Sequence, residues 1–382
     1  MSLHPFFGHA DLQASLSRAL AAESLPSSLL IHGPLGVGKQ RLALWLGQLL
    51  LCPESGPAGP CADCKACRMA TSLEHPDLHW YFPLPKPKRV RPTKLAEAME
   101  EARYEALTQR REHPLRPASA ATEPTGLYLA AAQTLRSHAQ RPPALGLRQV
   151  FVIGEADTLV PQESSQEAAN ALLKILEEPP PSTLLILTSS EPGRLLSTIR
   201  SRTMPLYLPT LAPQSVERFL VEVGGVPRDD ARRAAHLGRG SIGRALGFLP
   251  NEGEPGPLEA LRAQAFELLV AASATDAGAV YRKSLEFGAT RSRGLMPLFM
   301  LLEDTLRDLS AIAAKTSEGL INTDREELLE RIRGERDIHP VMVTRAFRHL
   351  EEATGMVAGN VNPQLIVAGL LTNIREELIG NP

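Results

Sequence analysis

Ser28-Leu29-Leu30-Ile31-His32 runs into Gly33-Pro34-Leu35-Gly36-Val37-Gly38-Lys39-Gln40, and Arg41 to Leu50 follows with the look of a helix. A short apolar strand, a glycine loop and a helix in that order are the setting of a phosphate loop. There, backbone N–H groups and a helix N-terminus face phosphate oxygens, and a lysine adds a point charge. Gly33, Gly38 and Lys39 fall on the G-x-x-x-x-G-K spacing, and with Gly36 they are the candidate nucleotide-binding residues. The next position of that motif needs Ser or Thr, whose hydroxyl ligates Mg²⁺. Here it is Gln40, a carboxamide of the wrong length.

The same deficit recurs further along. Val150-Phe151-Val152-Ile153 reads as a second buried strand, leading into Gly154-Glu155-Ala156-Asp157. The acid that would end this strand and hold Mg²⁺ is replaced by Gly154, while Glu155 stands where a water-polarising glutamate would be. Losing both metal-side groups removes several kcal/mol of transition-state stabilisation. The sequence therefore predicts a lost Mg²⁺ site, doubtful ATP binding and no turnover.

Leu184-Leu185-Ile186-Leu187 is a third apolar run, and between these runs the chain is helix-like. Residues 1–206 thus read as an α/β P-loop domain, a parallel sheet with helices on both faces. After Pro209 the strand-like runs stop, and residues 207–250 read as a small helical domain. Asn251 to Pro257, rich in Pro, Gly and acid, suits a linker. Residues 257–382 read as an all-α domain, because Leu295, Leu298, Leu302, Leu306 and Leu309 keep a helical period; Thr323 and Glu326 make a capping box before Leu328.

All four cysteines, Cys52, Cys61, Cys64 and Cys67, lie within 52–67 in a C-x8-C-x2-C-x2-C arrangement. Four thiolates at such spacing close a tetrahedral Zn²⁺ shell with no open position, a structural site. Iron–sulfur ligation uses similar spacings, and free or disulfide-bonded cysteines are the remaining alternatives. The Pro and Gly residues of 53–60 favour a zinc knuckle inserted after the first helix. His75 and His79 find no vacancy in such a shell and read as surface or capping histidines.

Between Tyr81 and Thr125 the chain changes character, with Pro83, Pro85, Pro87 and Pro92, a charged helix-like stretch from Lys94 to Arg111, then Pro114, Pro117 and Pro124. This reads as a surface insertion with one helix of its own. Lys86, Lys88, Arg89, Arg91 and Lys94 stand beside Trp80, Tyr81 and Phe82. The plain reading is a solvated loop with an apolar anchor; the sharper one is contact with nucleic acid through phosphates and stacking.

Bulk properties narrow the class. A chain of 382 residues predicts two or three domains. With 43% hydrophobic and 22% charged residues and no apolar run near membrane-spanning length, no membrane role is expected. Met1 to Ala10 lacks the features of a secretory signal, so a cytoplasmic protein is expected. The formal charge of −2 argues against coating nucleic acid by bulk electrostatics.

Ala169-Asn-Ala-Leu-Leu-Lys-Ile-Leu-Glu-Glu-Pro-Pro180 and Leu195-Leu-Ser-Thr-Ile-Arg-Ser-Arg202 resemble a helix-and-turn and a Ser-Arg-Cys signature of the clamp-loader subunits of bacterial DNA polymerase III, an AAA+ family. Asn362-Pro-Gln-Leu-Ile-Val-Ala-Gly-Leu-Leu371 is similar to the start of their last collar helix. The resemblance implies an AAA+ domain, a helical lid and a C-terminal collar. It implies a hetero-oligomeric loader in which an arginine of one subunit reaches the γ-phosphate held by its neighbour. Arg202 matches that arginine finger; Thr203 stands where the family commonly has Cys. Thr188, Ser189 and Arg244 fall in the family's sensor regions; without a hydrolysing site Arg244 better suits helix packing or an interface contact. Implied partners are the gamma/tau and delta loader subunits and, through the complex, the beta sliding clamp and primer–template DNA. Gln40 and Gly154 favour a non-catalytic member over an active ATPase of the gamma/tau kind, and the charge disfavours an independent zinc-dependent DNA-binding protein.

Overall fold

The computed structural model describes residues 3–116, 125–159, 167–251, 253–288, 292–357, 359 and 361–379. Pro117, Pro124 and Glu252 of the expected insertion and linker lie outside them.

Alternation along the apolar runs sets the layers of the first part of the chain. In β1 (Ser28–His32), Leu29 and Ile31 enter one core and Leu30 the other. The β2 strand (Leu78–Tyr81) is followed by a two-residue pair, β3 (Leu84–Pro85) and β4 (Thr125–Gly126). In β5 (Gln149–Ile153), Val150 and Val152 face the first core, Phe151 and Ile153 the second; β6 (Thr183–Ser189) divides likewise. With β7 (Met204–Tyr207) these form a five-stranded sheet in the order β2-β5-β6-β1-β7, and every pair is parallel. Such a sheet must be covered on both faces.

The covering helices are α1 (Ala10–Ala21), α2 (Lys39–Leu51), the short α3 (Lys65–Thr71), α4 (Leu95–Glu112), α5 (Leu129–Ala139), α6 (Glu167–Glu177) and α7 (Ser197–Arg200). Leu42, Leu46 and Leu49 of α2 fill one core; Leu135 of α5 with Leu172 and Ile175 of α6 fill the other. Three further helices, α8 (Pro213–Glu222), α9 (Arg228–Gly238) and α10 (Ile242–Phe248), follow the sheet.

Besides the two-residue β3 and β4, two strands of the five-stranded sheet, β2 and β7, escaped the sequence reading. Both are sheet edges, where an apolar run is not required: β2 carries His79, and β7 carries Pro205, which an edge tolerates. The expected insertion therefore starts one residue inside β2, and its helix is no surface appendage. Met99 of α4 is buried in the first core, with Leu95, Ala102, Ala106 and Leu107 packed against it. Trp80, Tyr81 and Phe82 are buried as well.

The described residues divide into two compact units, one ending at Leu246 and the other starting at Gly247. The second is helical: α11 (Pro257–Ser273), α12 (Gly278–Leu285), α13 (Leu295–Ala313), α14 (Glu326–Arg336), α15 (Pro340–Val357) and α16 (Pro363–Ile379). All five periodic leucines of α13 are buried. The capping box is not formed: a 3-10 turn occupies Thr323–Arg325, and Glu326 instead accepts from Ser317 Oγ at 2.6 Å. Among the described residues no helix is long and apolar enough to cross a membrane.

Neither His75 nor His79 is an exposed surface group: the former is buried in a capping role and the latter is half-buried. The His75 Nδ1 takes the Asp77 N–H at 3.1 Å. His79 stacks on Phe151 with centroids 4.6 Å apart. Burial, then the neighbouring charges of His138 and Arg103, pull the His79 imidazole down to about 4, against a smaller upward pull from Asp77. A folded pKa below the unfolded one means the unfolded chain takes up the proton first as pH falls, so stability present at neutral pH is lost from the unfolded pKa downward. Urea unfolding at about pH 5 should show up to about 2 kcal/mol less stability from this group than at about pH 7. His79→Phe should shrink that difference; an identical difference in wild type and variant would contradict it.

Candidate functional site

The glycine loop between β1 and α2 is built on left-handed backbone: φ is 154° at Gly33, 76° at Gly36 and 105° at Gly38. Close approach is the second reason for glycine. A Cβ on Gly33 would come within 2.2 Å of the Leu208 carbonyl oxygen, and one on Gly36 within 2.8 Å of the Arg244 nitrogen. The Gly243 N–H donates to the Gly36 carbonyl at 2.9 Å, so the start of α10 is seated directly on the loop.

Lys39 turns back into this loop. Its Nζ donates to Gly33 O at 2.9 Å, to Pro34 O at 2.7 Å and to Ser190 Oγ at 2.8 Å, which occupies all three ammonium N–H groups. Burial pulls its pKa down to about 8, opposed by Asp157 and Glu155.

Gln40, at the start of α2, and Gly154, after β5, are the two positions at which the sequence departs from the expected P-loop pattern. The structure brings them into contact. A Cβ on Gly154 would lie 2.5 Å from Gln40 Oε1 and 2.7 Å from its Cδ, so the carboxamide fills the space that the missing side chain leaves. The amide is held at both ends: Trp80 Nε1 donates to Oε1 at 2.9 Å, and Nε2 donates to Glu155 Oε1 at 3.3 Å. Glu155 has a left-handed φ of 50°, and its N–H donates to Thr188 Oγ1 at 3.1 Å. Burial and the Asp157 charge raise the Glu155 pKa, while Arg110, Lys39 and the Gln40 bond lower it.

Arg110 comes from α4. Its guanidinium lies 3.9 Å from the Phe82 ring centroid and 4.7 Å from that of Trp80. Burial lowers its pKa, and Glu155 is the opposing charge. Trp80, Arg110 and Ser190 thus belong to the site although nothing in their sequence context marks them. The paired departures at Gln40 and Gly154 were visible, and the structure gives their common reason. Thr188 and Ser189 support the turn after β5, the latter donating to Asp157 Oδ1 at 2.6 Å. Arg244 Nε donates to Leu237 O at 3.3 Å, a helix-packing contact.

If the amide plugs this space, Gly154→Ala forces it out and breaks both of its hydrogen bonds, at about 1–3 kcal/mol. Gln40→Ala in the same chain should recover most of that loss, since contacting residues couple by about 0.5–3 kcal/mol. Strictly additive unfolding free energies would mean the two positions do not interact.

Arg202 lies elsewhere. It precedes β7, whose Met204 pairs with Leu29 near the start of β1, whereas the glycine loop follows the far end of β1. Five residues of strand, about 16 Å, separate the two ends. Arg202 Nη2 pairs with Glu177 Oε1 of α6 at 2.9 Å, and Nη1 donates to Thr198 O at 3.0 Å.

The four cysteine sulfurs all lie within 4.8 Å of one another, with Cys52 Sγ to Cys61 Sγ at 3.5 Å, Cys52 to Cys64 at 3.9 Å and Cys61 to Cys67 at 4.0 Å. Disulfide sulfurs would be about 2.05 Å apart. Four ligands at about 2.3 Å around one tetrahedral ion stand about 3.8 Å apart, close to the distances seen. A cluster distributes its cysteines over separate irons and spaces them more widely. The N–H groups of Cys61, Cys64 and Cys67 each point at a cysteine sulfur at 3.4 Å, which favours thiolates. The four residues can hold a metal ion.

The family model described as DNA polymerase III, delta subunit matches residues 8–212. DNA polymerase III subunit delta' of Pseudomonas aeruginosa is 34% identical over 214 residues, covering 52% of this chain and 52% of the relative. Subunit delta' of Bacillus subtilis is 31% identical over 207 residues, 54% of this chain and 49% of the relative. DNA polymerase III subunit gamma/tau of Mycobacterium tuberculosis is 28% identical over 227 residues, 59% of this chain and 32% of the relative. The chain spans about half the length of the delta' relatives it matches.

Proposed function

This chain belongs to the DNA polymerase III delta-subunit family, and from that membership we propose that it is a non-hydrolysing, cytoplasmic subunit of the polymerase's clamp loader, working beside gamma/tau and delta subunits to place the sliding clamp on primed DNA. The observation that carries the reading is the Gln40 carboxamide lodged against Gly154 between Trp80 and Glu155. Where an ATPase would hold Mg²⁺, this chain holds an amide. In a P-loop site Mg²⁺ bridges the β- and γ-phosphates and neutralises developing charge. Without it, and with the Lys39 N–H groups turned onto the loop, the chain's own site is a degenerate nucleotide pocket without turnover.

In this reading residues 1–206 are the AAA+ domain, 207–250 its lid and 257–382 the collar. Arg202 is the arginine finger for a neighbour's ATP. Its place at the opposite end of the sheet from the glycine loop supports action in trans, since it has no route to its own loop. Cys52, Cys61, Cys64 and Cys67 hold a structural Zn²⁺; four thiolates close the shell and leave no position for a substrate.

The test is ATP hydrolysis by the loader reconstituted with clamp and primed DNA, comparing the wild-type chain with Arg202→Ala and Lys39→Ala. Turnover should fall with the first and hold with the second. A fall with Lys39→Ala, accompanied by hydrolysis in the isolated chain, would instead support an active ATPase like the gamma/tau relative.

A further inference from the structure

We infer that the loop at 85–94 is a docking surface for the phosphodiester backbone of nucleic acid, made by Lys86, Lys88, Arg89, Arg91 and Lys94. This goes beyond the arginine-finger reading and does not depend on it.

The composition is one-sided. Five cationic residues fall within 86–94, and no acidic residue occurs from 83 to 96. All five side chains are exposed. Arg89, Arg91 and Lys94 have no acidic partner among the described residues. Lys86 is exposed, with its Nζ 6.0 Å from the Tyr128 ring centroid, a weak cation–π contact at this distance. In a chain whose net charge is only −2, this is a local concentration of positive charge.

The loop is also braced. Its start lies in the β3–β4 pair, where Leu84 faces Gly126 and Pro85 faces Thr125. Pro85 and Pro87 fix φ near the extended region, so Lys86 and Lys88 project at alternate positions of stiff chain. Arg89, at a left-handed φ of 59°, turns the backbone, and a 3-10 turn at Pro92–Lys94 leads into α4, whose Met99 is anchored in the core. Two extended residues span about 7 Å, on the scale of one nucleotide step along an extended strand. Lys86 and Lys88 stand at that interval, and Arg89, Arg91 and Lys94 follow at and beyond the turn, a spacing that suits phosphates along a strand.

Stacking is not part of the contact. Trp80, Tyr81 and Phe82 are 6%, 2% and 3% exposed and lie in the cores, so no base can reach them. The surface reads charge alone and carries no sequence preference.

The experiment measures binding of the full chain to a fluorescein-labelled oligodeoxythymidylate of about 20 nucleotides across a salt series. Each phosphate neutralised on a single strand contributes about 0.7 to the slope of log K against log [salt]. Five contacts give a slope of about −3.5 and a loss of about 100-fold between about 50 and 200 mM salt. The quintuple variant K86Q/K88Q/R89Q/R91Q/K94Q should lose at least about ten-fold in affinity at the low-salt end and flatten the slope. The variant R228Q/R232Q/R331Q/R348Q, which removes exposed arginines elsewhere, should keep both. Circular dichroism melts confirm that each variant is folded. Equal affinity and slope for the wild type and the quintuple variant would overturn the inference. So would polyglutamate of matched length displacing the oligonucleotide at equal charge concentration, because the loop would then be an acidic-protein site.

Discussion

Arg202→Ala should lower ATP turnover of the assembled loader by about 10³ to 10⁵ at the neighbouring site, the range that removal of an arginine finger produces elsewhere. The guanidinium would meet charge developing on the transferred phosphoryl, a contact that an alanine cannot make. Such a factor corresponds to about 4–7 kcal/mol. The pair with Glu177 cannot hold Arg202 back from a phosphate: its side chains are 36% and 47% exposed, and exposed pairs are worth about 0–1 kcal/mol. Glu177→Gln should therefore change turnover by less than about ten-fold. Arg202→Lys keeps the charge but loses the planar fork, and should rescue only a small part of the loss. Size-exclusion chromatography must show the Arg202→Ala assembly intact. An intact assembly with wild-type turnover would remove Arg202 from the mechanism.

Much of this arrangement was legible in the chain because it is local. The strand, glycine loop and helix around Lys39 occupy one continuous stretch, and their spacing is dictated by φ values that glycine alone adopts readily. The cysteine spacing likewise brings four sulfurs together with few intervening residues. What escaped depends on distant segments. The β2 strand is an edge with a histidine on it, so its pattern resembles neither a buried run nor a clean alternation. Arg110 reaches the rings of Trp80 and Phe82 because α4 packs onto the first core, and that packing rests on Met99, Leu95, Leu107, Ala102 and Ala106 in a helix otherwise rich in charge. Gln40 and Gly154 were visible as two separate losses. Only their contact turns them into one feature, an amide and the gap that accommodates it.

If the four cysteines hold Zn²⁺ as proposed, removing it should strongly destabilise the first unit. Zn²⁺ in small modules carries apparent binding free energies of about 10–16 kcal/mol that appear as folding free energy. Here only part of that is at stake, because α2 would remain packed by Leu42, Leu46 and Leu49 without it. Between Cys52 and His75 few residues are buried, among them Gly59, Cys67 and Ala70. Cys67 is fully buried and Cys52 nearly so, and sulfurs this close repel one another as thiolates once the cation is gone. Cys64 caps α3 by accepting the Cys67 N–H, so losing the sulfur geometry loosens that helix, and with it the bond from Leu3 N–H to Thr71 O. We expect one equivalent of zinc by atomic emission. A chelator should release it, expose four thiols to titration and destabilise the fold by at least about 3 kcal/mol, comparable to loss of a buried structural element. The two tryptophans separate this event from the amide plug. Trp45 lies against Gly59 of the knuckle, 3.4 Å from a Cβ placed there, whereas Trp80 reports on Gln40. In a Trp80→Phe chain, chelation should shift the remaining emission to the red, because the knuckle no longer shields Trp45. Unchanged emission and an unchanged melt, with all four thiols titrating before chelation, would mean that no metal is held there and that the four cysteines pack as thiols.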